Sequence, residues 1–115
     1  MDNTQQTTRE ERQRVARTIL DQLGRGFSVM TGAHTLCSTE NSLSFRVPGT
    51  ITRQRINWVK IELTPADEYK LTFGVIRGKT FKVVEERDGV YCDTLRDVFS
   101  SVTGLALEFP RFANL

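Results

Sequence analysis

The fold is decided by LSFRV (residues 43–47), WVKIEL (58–63), YKLTFGVIR (69–77) and TFKVVEER (80–87). In each stretch apolar and polar residues alternate, which is the period of a β-strand with one buried face. Turn residues separate the stretches, for example Pro48-Gly49 and Gly78-Lys79. The pattern therefore predicts an antiparallel meander of four strands between Leu43 and Arg87.

The alternation divides the residues of this meander between two faces of the predicted sheet. The inner, apolar face is predicted to hold Leu43, Phe45, Val47, Val59, Ile61, Leu63, Tyr69, Leu71, Phe73, Val75, Phe81 and Val83. The outer face is predicted to hold Ser44, Arg46, Trp58, Lys60, Glu62, Lys70, Thr72 and Lys82.

Two amphipathic helices are predicted on either side of the meander. Thr8 and Glu11 match a capping box, so the first helix should run from Arg9 to Leu23. Apolar residues at helical spacing predict a second helix from Val90 to Val102, with Asp88-Gly89 as the turn before it.

The remaining segments complete one α+β domain over residues 1–115. Phe27–Thr31 is predicted to be a short edge strand, and Gly32–Asn41 a loop. We therefore expect an antiparallel four- or five-stranded meander sheet with an N-terminal and a C-terminal helix packed on one face. The polar residues 1–7 are predicted to be disordered, and residues 105–115 form an apolar C-terminal tail.

The charge of the chain is unevenly distributed. The net charge is only +2, but residues 43–82 carry eight basic and three acidic residues, whereas residues 83–115 carry three basic and six acidic ones. The chain has neither an apolar run of membrane-spanning length nor a signal peptide, so we expect a cytoplasmic protein. In that compartment Cys37 and Cys92 should be free thiols.

No catalytic or metal-binding motif is present in the sequence. His34 and Cys37 lie three residues apart, but no Asp or Asn nearby could orient the imidazole, and a closed zinc site needs four ligands. The glycine turns do not have the spacing of a phosphate-binding loop or a dinucleotide fingerprint. We therefore expect no enzymatic activity, no cofactor and no metal.

A basic sheet face is the one cluster of residues that indicates binding. Its predicted members, drawn from four strands, are Arg46, Trp58, Lys60, Lys70, Thr72 and Lys82. Further contacts from loops would come from Arg53, Arg55, Arg77 and Lys79. Cations around an exposed aromatic ring suit single-stranded nucleic acid, and they suit an acidic protein surface equally well. Alternatively, the lysines only keep a half-exposed sheet soluble.

The C-terminal tail is too apolar for a solvated end. Its large side chains are Leu105, Leu107, Phe109, Phe112 and Leu115. They can be buried on the chain's own domain, on a second copy in a homodimer, or on a foreign partner. We expect one of the first two, because a free apolar tail promotes aggregation.

Several stretches in this order resemble small proteins of unassigned function encoded in tailed-bacteriophage and prophage genomes. These stretches are MTGA (30–33), LSFRVPG (43–49), VIRG (75–78) and VYCDTLRDVFSSVTGL (90–105). The resemblance implies a viral accessory protein that acts in the host cytoplasm by binding, for example as an inhibitor of a host or defence protein. It carries over no functional residues.

Two hypotheses follow. The first is a non-enzymatic phage-type accessory protein that binds a host or phage protein through the sheet face and the tail. The alternative is a nucleic-acid-binding module that uses the basic sheet face. Neither involves a membrane.

Overall fold

The computed structural model describes the backbone of residues 3–107 and the side chains of residues 13–107. Within these ranges, helices and strands follow one another as α1 (Asn3–Leu23), α2 (Phe27–Thr31), β1 (His34–Ser38), β2 (Ser42–Arg46), β3 (Trp58–Leu63), β4 (Tyr69–Arg77), β5 (Thr80–Val90) and α3 (Leu95–Thr103). A 3₁₀ turn, Arg53–Arg55, lies in the connection between β2 and β3.

The five strands form one antiparallel sheet in the order β1-β2-β3-β4-β5, so each strand pairs with its neighbour along the chain. The predicted α+β fold, with a meander sheet and helices on one face, is confirmed. The register places Phe45 opposite Val59 and Val59 opposite Phe73, which aligns the apolar residues of the central strands across one face.

Three phenylalanines from separate elements join the helices to the sheet. Phe45 of β2 packs against Phe27 of α2 at a centroid distance of 4.8 Å and against Phe99 of α3 at 6.0 Å. Phe45, Ile61, Phe73 and Phe99 are each at most 1% exposed, which confirms that they are buried together. This face of the sheet is therefore the core of the domain.

The prediction of a strand at Phe27–Thr31 is wrong, because these residues form α2. In a strand Val29 would lie on the same face as Phe27 and Thr31, but its side chain is 72% exposed while theirs are buried. Phe27 and Thr31 are one helical turn apart, and the Thr31 hydroxyl donates to the Phe27 carbonyl over 2.6 Å. Gly32 ends the helix at φ 72°, in the left-handed region.

The fifth strand lies instead in the segment predicted to be a loop. β1 is an edge strand, and all five of its residues are exposed. Its pairing with β2 contains one extra residue between His34 and Cys37, where Thr35 adopts φ 53°. Because a bulged and fully exposed strand has no hydrophobic alternation, the sequence pattern did not reveal it.

The predicted facing of Phe81, Val83 and Lys82 is also wrong. Gly74 pairs with Val83 while Phe73 pairs with Glu85, so β5 contains one extra residue at this point. The facing of the residues before this bulge is set by the two-residue turn Gly78-Lys79, which pairs Arg77 with Thr80 and Ile76 with Phe81. Phe81 and Val83 therefore lie on the outer face, 50% and 43% exposed, and Lys82 shares the inner face with its partner Val75.

Both helix starts differ from the prediction. α1 begins at Asn3 rather than Arg9, so residues 3–7 belong to the helix. β5 continues through Asp88-Gly89, where Gly89 adopts φ 64°, and α3 therefore begins only at Leu95.

A polar contact ties α1 to the sheet. The Tyr69 hydroxyl of β4 donates to Gln22 Oε1 over 2.8 Å. Burial raises the pKa of the Tyr69 phenol above its ordinary value.

Within the described residues, no helix is long and apolar enough to cross a membrane.

The first part of the apolar tail packs on the chain's own domain. Leu105 and Leu107 are 5% and 4% exposed and belong to the core. The backbone at Leu107 approaches Gly26 so closely that a Cβ there would lie 2.8 Å from the Leu107 carbonyl oxygen. The predictions for Phe109, Phe112 and Leu115 lie outside the described residues.

Replacement of Phe73 tests the assignment of the buried face. Because its ring is fully buried, Phe73→Ala should lower the free energy of unfolding by about 3–5 kcal/mol in urea denaturation. Phe81→Ala, which removes a ring that is 50% exposed on the other face, should cost about 1 kcal/mol. Equal costs for the two variants would contradict the register.

Two truncations test the role of the tail. Ending the chain after Gly104 removes the buried Leu105 and Leu107 and should lower the free energy of unfolding by at least about 2 kcal/mol. Ending it after Leu107 keeps both side chains and isolates the effect of residues 108–115. A melting curve and sizing by light scattering for each form provide the measurement. If the chain that ends after Gly104 is as stable as the chain that ends after Leu107, these two leucines contribute nothing to the fold.

Candidate functional site

The sheet face opposite the helices is built from residues that the register places in rows across the strands. One row runs Arg46, Trp58, Gly74 and Val83, and the next runs Ser44, Lys60, Thr72 and Glu86. In the third row Glu62 stands opposite Lys70. Except at Gly74, these side chains are half-buried or exposed, as expected for a face that borders solvent.

An aromatic pair lies near one end of this outer face, where β2 ends and β3 begins. The rings of Trp58 and Phe81 meet edge to face, with centroids 5.1 Å apart and planes at 87°. A Cβ on Gly74 would lie 2.7 Å from Cε1 of Phe81, so only glycine lets the phenyl ring lie across β4. With the neighbouring Val83, the two rings form what we call the aromatic patch.

The charges around the aromatic patch have both signs. Arg46, Lys60 and Lys70 contribute positive charge, while Glu86 lies in the row of Lys60 and Glu62 lies opposite Lys70. Because the acids stand among the bases, the field of this face is weaker than the basic residues alone would produce.

The structure brings most of the predicted basic face together. Arg46, Trp58, Lys60, Lys70 and Thr72 share the outer face. Lys82 lies on the other side of the sheet, and Phe81 and Val83, which were predicted to be core residues, lie on the outer face. The consecutive apolar residues Val83 and Val84 break the alternation in the sequence, and this break is the signal that could have revealed the bulge.

A second surface lies on the helix side of the sheet, beyond the end of the core. Two cavities of about 730 and 320 Å³ adjoin there and share Gln54, Arg55, Val75 and Arg77 in their walls. Lys82 and Val84 line the smaller one. We call this region, with Arg55, Arg77 and Lys82, the basic cleft.

Hydrogen bonds fix the loop that forms one wall of the basic cleft. The Asn57 side chain donates to the Ile76 carbonyl over 2.9 Å and accepts from the Ile76 N–H over 2.7 Å, so it extends the ladder between β3 and β4. The Thr52 hydroxyl donates to the Ile56 carbonyl over 2.6 Å. Between these anchors Gln54 and Arg55 adopt φ 55° and 61°, which is uncommon for residues with a side chain.

The loop cations that were predicted as additional contacts have different positions. Arg55 and Arg77 line the basic cleft. Arg53 donates from Nη1 to the Ser101 carbonyl over 2.9 Å, in the last turn of α3, and its stem packs on Gly104. A cation at this position stabilises the helix C-terminus. Lys79 lies in the turn between β4 and β5.

His34 and Cys37 both lie on the exposed edge strand β1. His34 Nδ1 lies 2.8 Å from Oγ1 of its neighbour Thr35, and Cys37 and Cys92 are free and exposed. Among the described residues, no group of three or more His, Cys, Asp and Glu side chains could hold a metal ion.

Comparison of the chain with family models, with curated proteins and with solved structures finds no match. Functional inference therefore depends on the two surfaces of this chain.

A double-mutant cycle tests the contact between Gly74 and Phe81. Gly74→Ala should lower the free energy of unfolding by about 1–3 kcal/mol, because the new methyl group displaces the Phe81 ring. In the Phe81→Ala background the same change should cost less, since the ring is gone. Thermal melts of the four proteins provide the measurement. If Gly74→Ala lowers the free energy of unfolding equally in both backgrounds, the Phe81 ring does not lie against Gly74.

Proposed function

We propose that this chain is a non-enzymatic binding protein that docks a protein partner on the outer face of its sheet, with the aromatic patch at the centre of contact. The observation that carries the proposal is the Trp58–Phe81 pair, which lies on a partly solvated face with Phe81 50% exposed. Aromatic anchors surrounded by polar and charged side chains are typical of protein–protein interfaces.

The mixed charge of the outer face favours a protein over a nucleic acid. A nucleic-acid strand presents phosphates at regular spacing, and Glu62 and Glu86 would repel it. A protein surface can place acidic side chains opposite Arg46 and Lys60 and basic ones opposite the two glutamates. The partner that fits best therefore has an apolar centre with a rim of both charges.

The resemblance to phage and prophage proteins extends the proposal to the partner's identity. On this basis the partner is a host or defence protein in the bacterial cytoplasm, and binding inhibits it by covering the surface that it uses. Residues 108–115 continue from Leu107 and would add apolar contacts to this partner or to a second copy of the chain.

The test compares two variants that each remove two exposed apolar side chains. Phe81→Ser with Val83→Thr alters the aromatic patch, and Val29→Ser with Ile51→Ser alters side chains that are 72% and 60% exposed elsewhere. Each protein is immobilised and exposed to a bacterial lysate with and without nuclease treatment, and the captured protein is then purified and titrated. The patch variant should bind about tenfold or more weakly, whereas the control should bind like the unaltered chain.

Three outcomes would contradict this proposal. Equal losses in both variants would show nonspecific apolar adhesion, and capture that disappears after nuclease treatment would support the nucleic-acid module instead. If the purified chain dimerises through the patch and captures nothing else, the occupant of the face is a second copy. Melting curves for both variants ensure that the comparison is made between folded proteins.

A further inference from the structure

The basic cleft is a separate surface from the aromatic patch, because the two lie on opposite faces of the sheet. Lys82 pairs with Val75 on the inner face, whereas Phe81 pairs with Ile76 on the outer one. The cleft brings together cations from three segments of the chain: Arg55 from the loop, Arg77 from the end of β4 and Lys82 from β5.

These three cations are not neutralised by the described part of the protein. No acidic residue is found among the described residues that line either cavity. Within residues 13–107, the one ion pair between side chains joins Arg87 and Glu85, outside the cleft, and Arg53 is occupied at the end of α3. Arg55, Arg77 and Lys82 make no such contact, so their charges are available to a ligand.

The walls of the cleft are held in place before any ligand arrives. Asn57 fixes the loop to β4 through two hydrogen bonds, and Arg55 follows Gln54 in a left-handed backbone conformation that the anchored loop imposes. Uncommon backbone conformations of this kind cluster at ligand sites, where the surrounding structure maintains them. A site whose cations are already positioned loses less conformational entropy on binding.

We propose that the basic cleft binds the phosphate group of a nucleotide-sized ligand. Two guanidinium groups and an ammonium match a phosphate, since arginine donates paired hydrogen bonds to its oxygens and lysine adds a point charge. The larger cavity, of about 730 Å³, lies in the range of small-molecule sites and exceeds what a lone anion fills. Val75 and Val84 provide apolar surface for the sugar or base.

A phosphate of this kind can belong to a free nucleotide or to the end of a nucleic-acid strand, so the experiment uses both. Isothermal titration with adenosine triphosphate, with adenosine, and with a short single-stranded oligonucleotide carrying a 5′-phosphate is performed at about 50 mM salt. Binding of the triphosphate without the oligonucleotide identifies a free nucleotide as the source. Binding of the oligonucleotide without the triphosphate identifies a strand end. Adenosine should not bind in either case.

A matched pair of variants locates the site. Arg55→Gln with Arg77→Gln and Lys60→Gln with Lys70→Gln each remove two positive charges, the first in the basic cleft and the second on the outer face. The variant altered in the basic cleft should raise the Kd of the bound phosphate compound about tenfold or more. The variant altered on the outer face should change this Kd less than about twofold. All four residues are partly or fully exposed, so both proteins should fold.

The proposal fails under any of three results. The first is the absence of binding by both phosphate compounds, and the second is binding of adenosine as strong as that of the triphosphate. The third is an equal loss of affinity in the two variants, which would mean attraction to net charge alone. None of these results bears on the aromatic patch, because its test uses a protein partner and different residues.

Discussion

Phe45 lies between two phenyl rings that come from distant parts of the chain, and this contact determines which face of the sheet is covered. The ring centroid of Phe27 lies 4.8 Å from that of Phe45, and the centroid of Phe99 lies 6.0 Å from it. Phe45 therefore contacts both α2, which precedes the sheet in the chain, and α3, which follows it. Aromatic pairs add about 0.5–1.5 kcal/mol beyond the burial of their area. Because α2 and α3 both pack on this face, the opposite face of the sheet borders solvent.

The register of the hairpin between β4 and β5 then determines what the two faces present. Its two-residue turn sets Ile76 opposite Phe81 and Val75 opposite Lys82. This register places Phe81 beside Trp58 on the outer face and Lys82 on the inner one. The aromatic patch and the basic cleft therefore have a common origin, since a hairpin register shifted by one residue would have buried the ring and aligned the lysine with the other outer bases.

The two surfaces differ in the interactions that they offer. The aromatic patch provides apolar area, which releases water on contact and is little affected by salt. The basic cleft provides charge on exposed side chains, and its interactions weaken as ionic strength rises. A chain of 115 residues thus carries one surface suited to a protein and one suited to a phosphate. The rigid sheet between them and the loop anchored at Asn57 hold both in place.

The sequence by itself determined strands β2 to β4, much of β5 and the residues of the central core. A strand with one buried face must alternate with period two, and Phe45 and Phe73 follow that period without interruption. It also placed Trp58 on the outer face, because the same alternation applies there. Only the tertiary structure decided the helical form of Phe27–Thr31, since a five-residue apolar segment is compatible with a helix or a strand until its packing partners are known. The positions of Phe81 and the residues of the basic cleft depended on the register of the hairpin between β4 and β5 and on contacts between distant segments, which the alternation within each strand does not reveal.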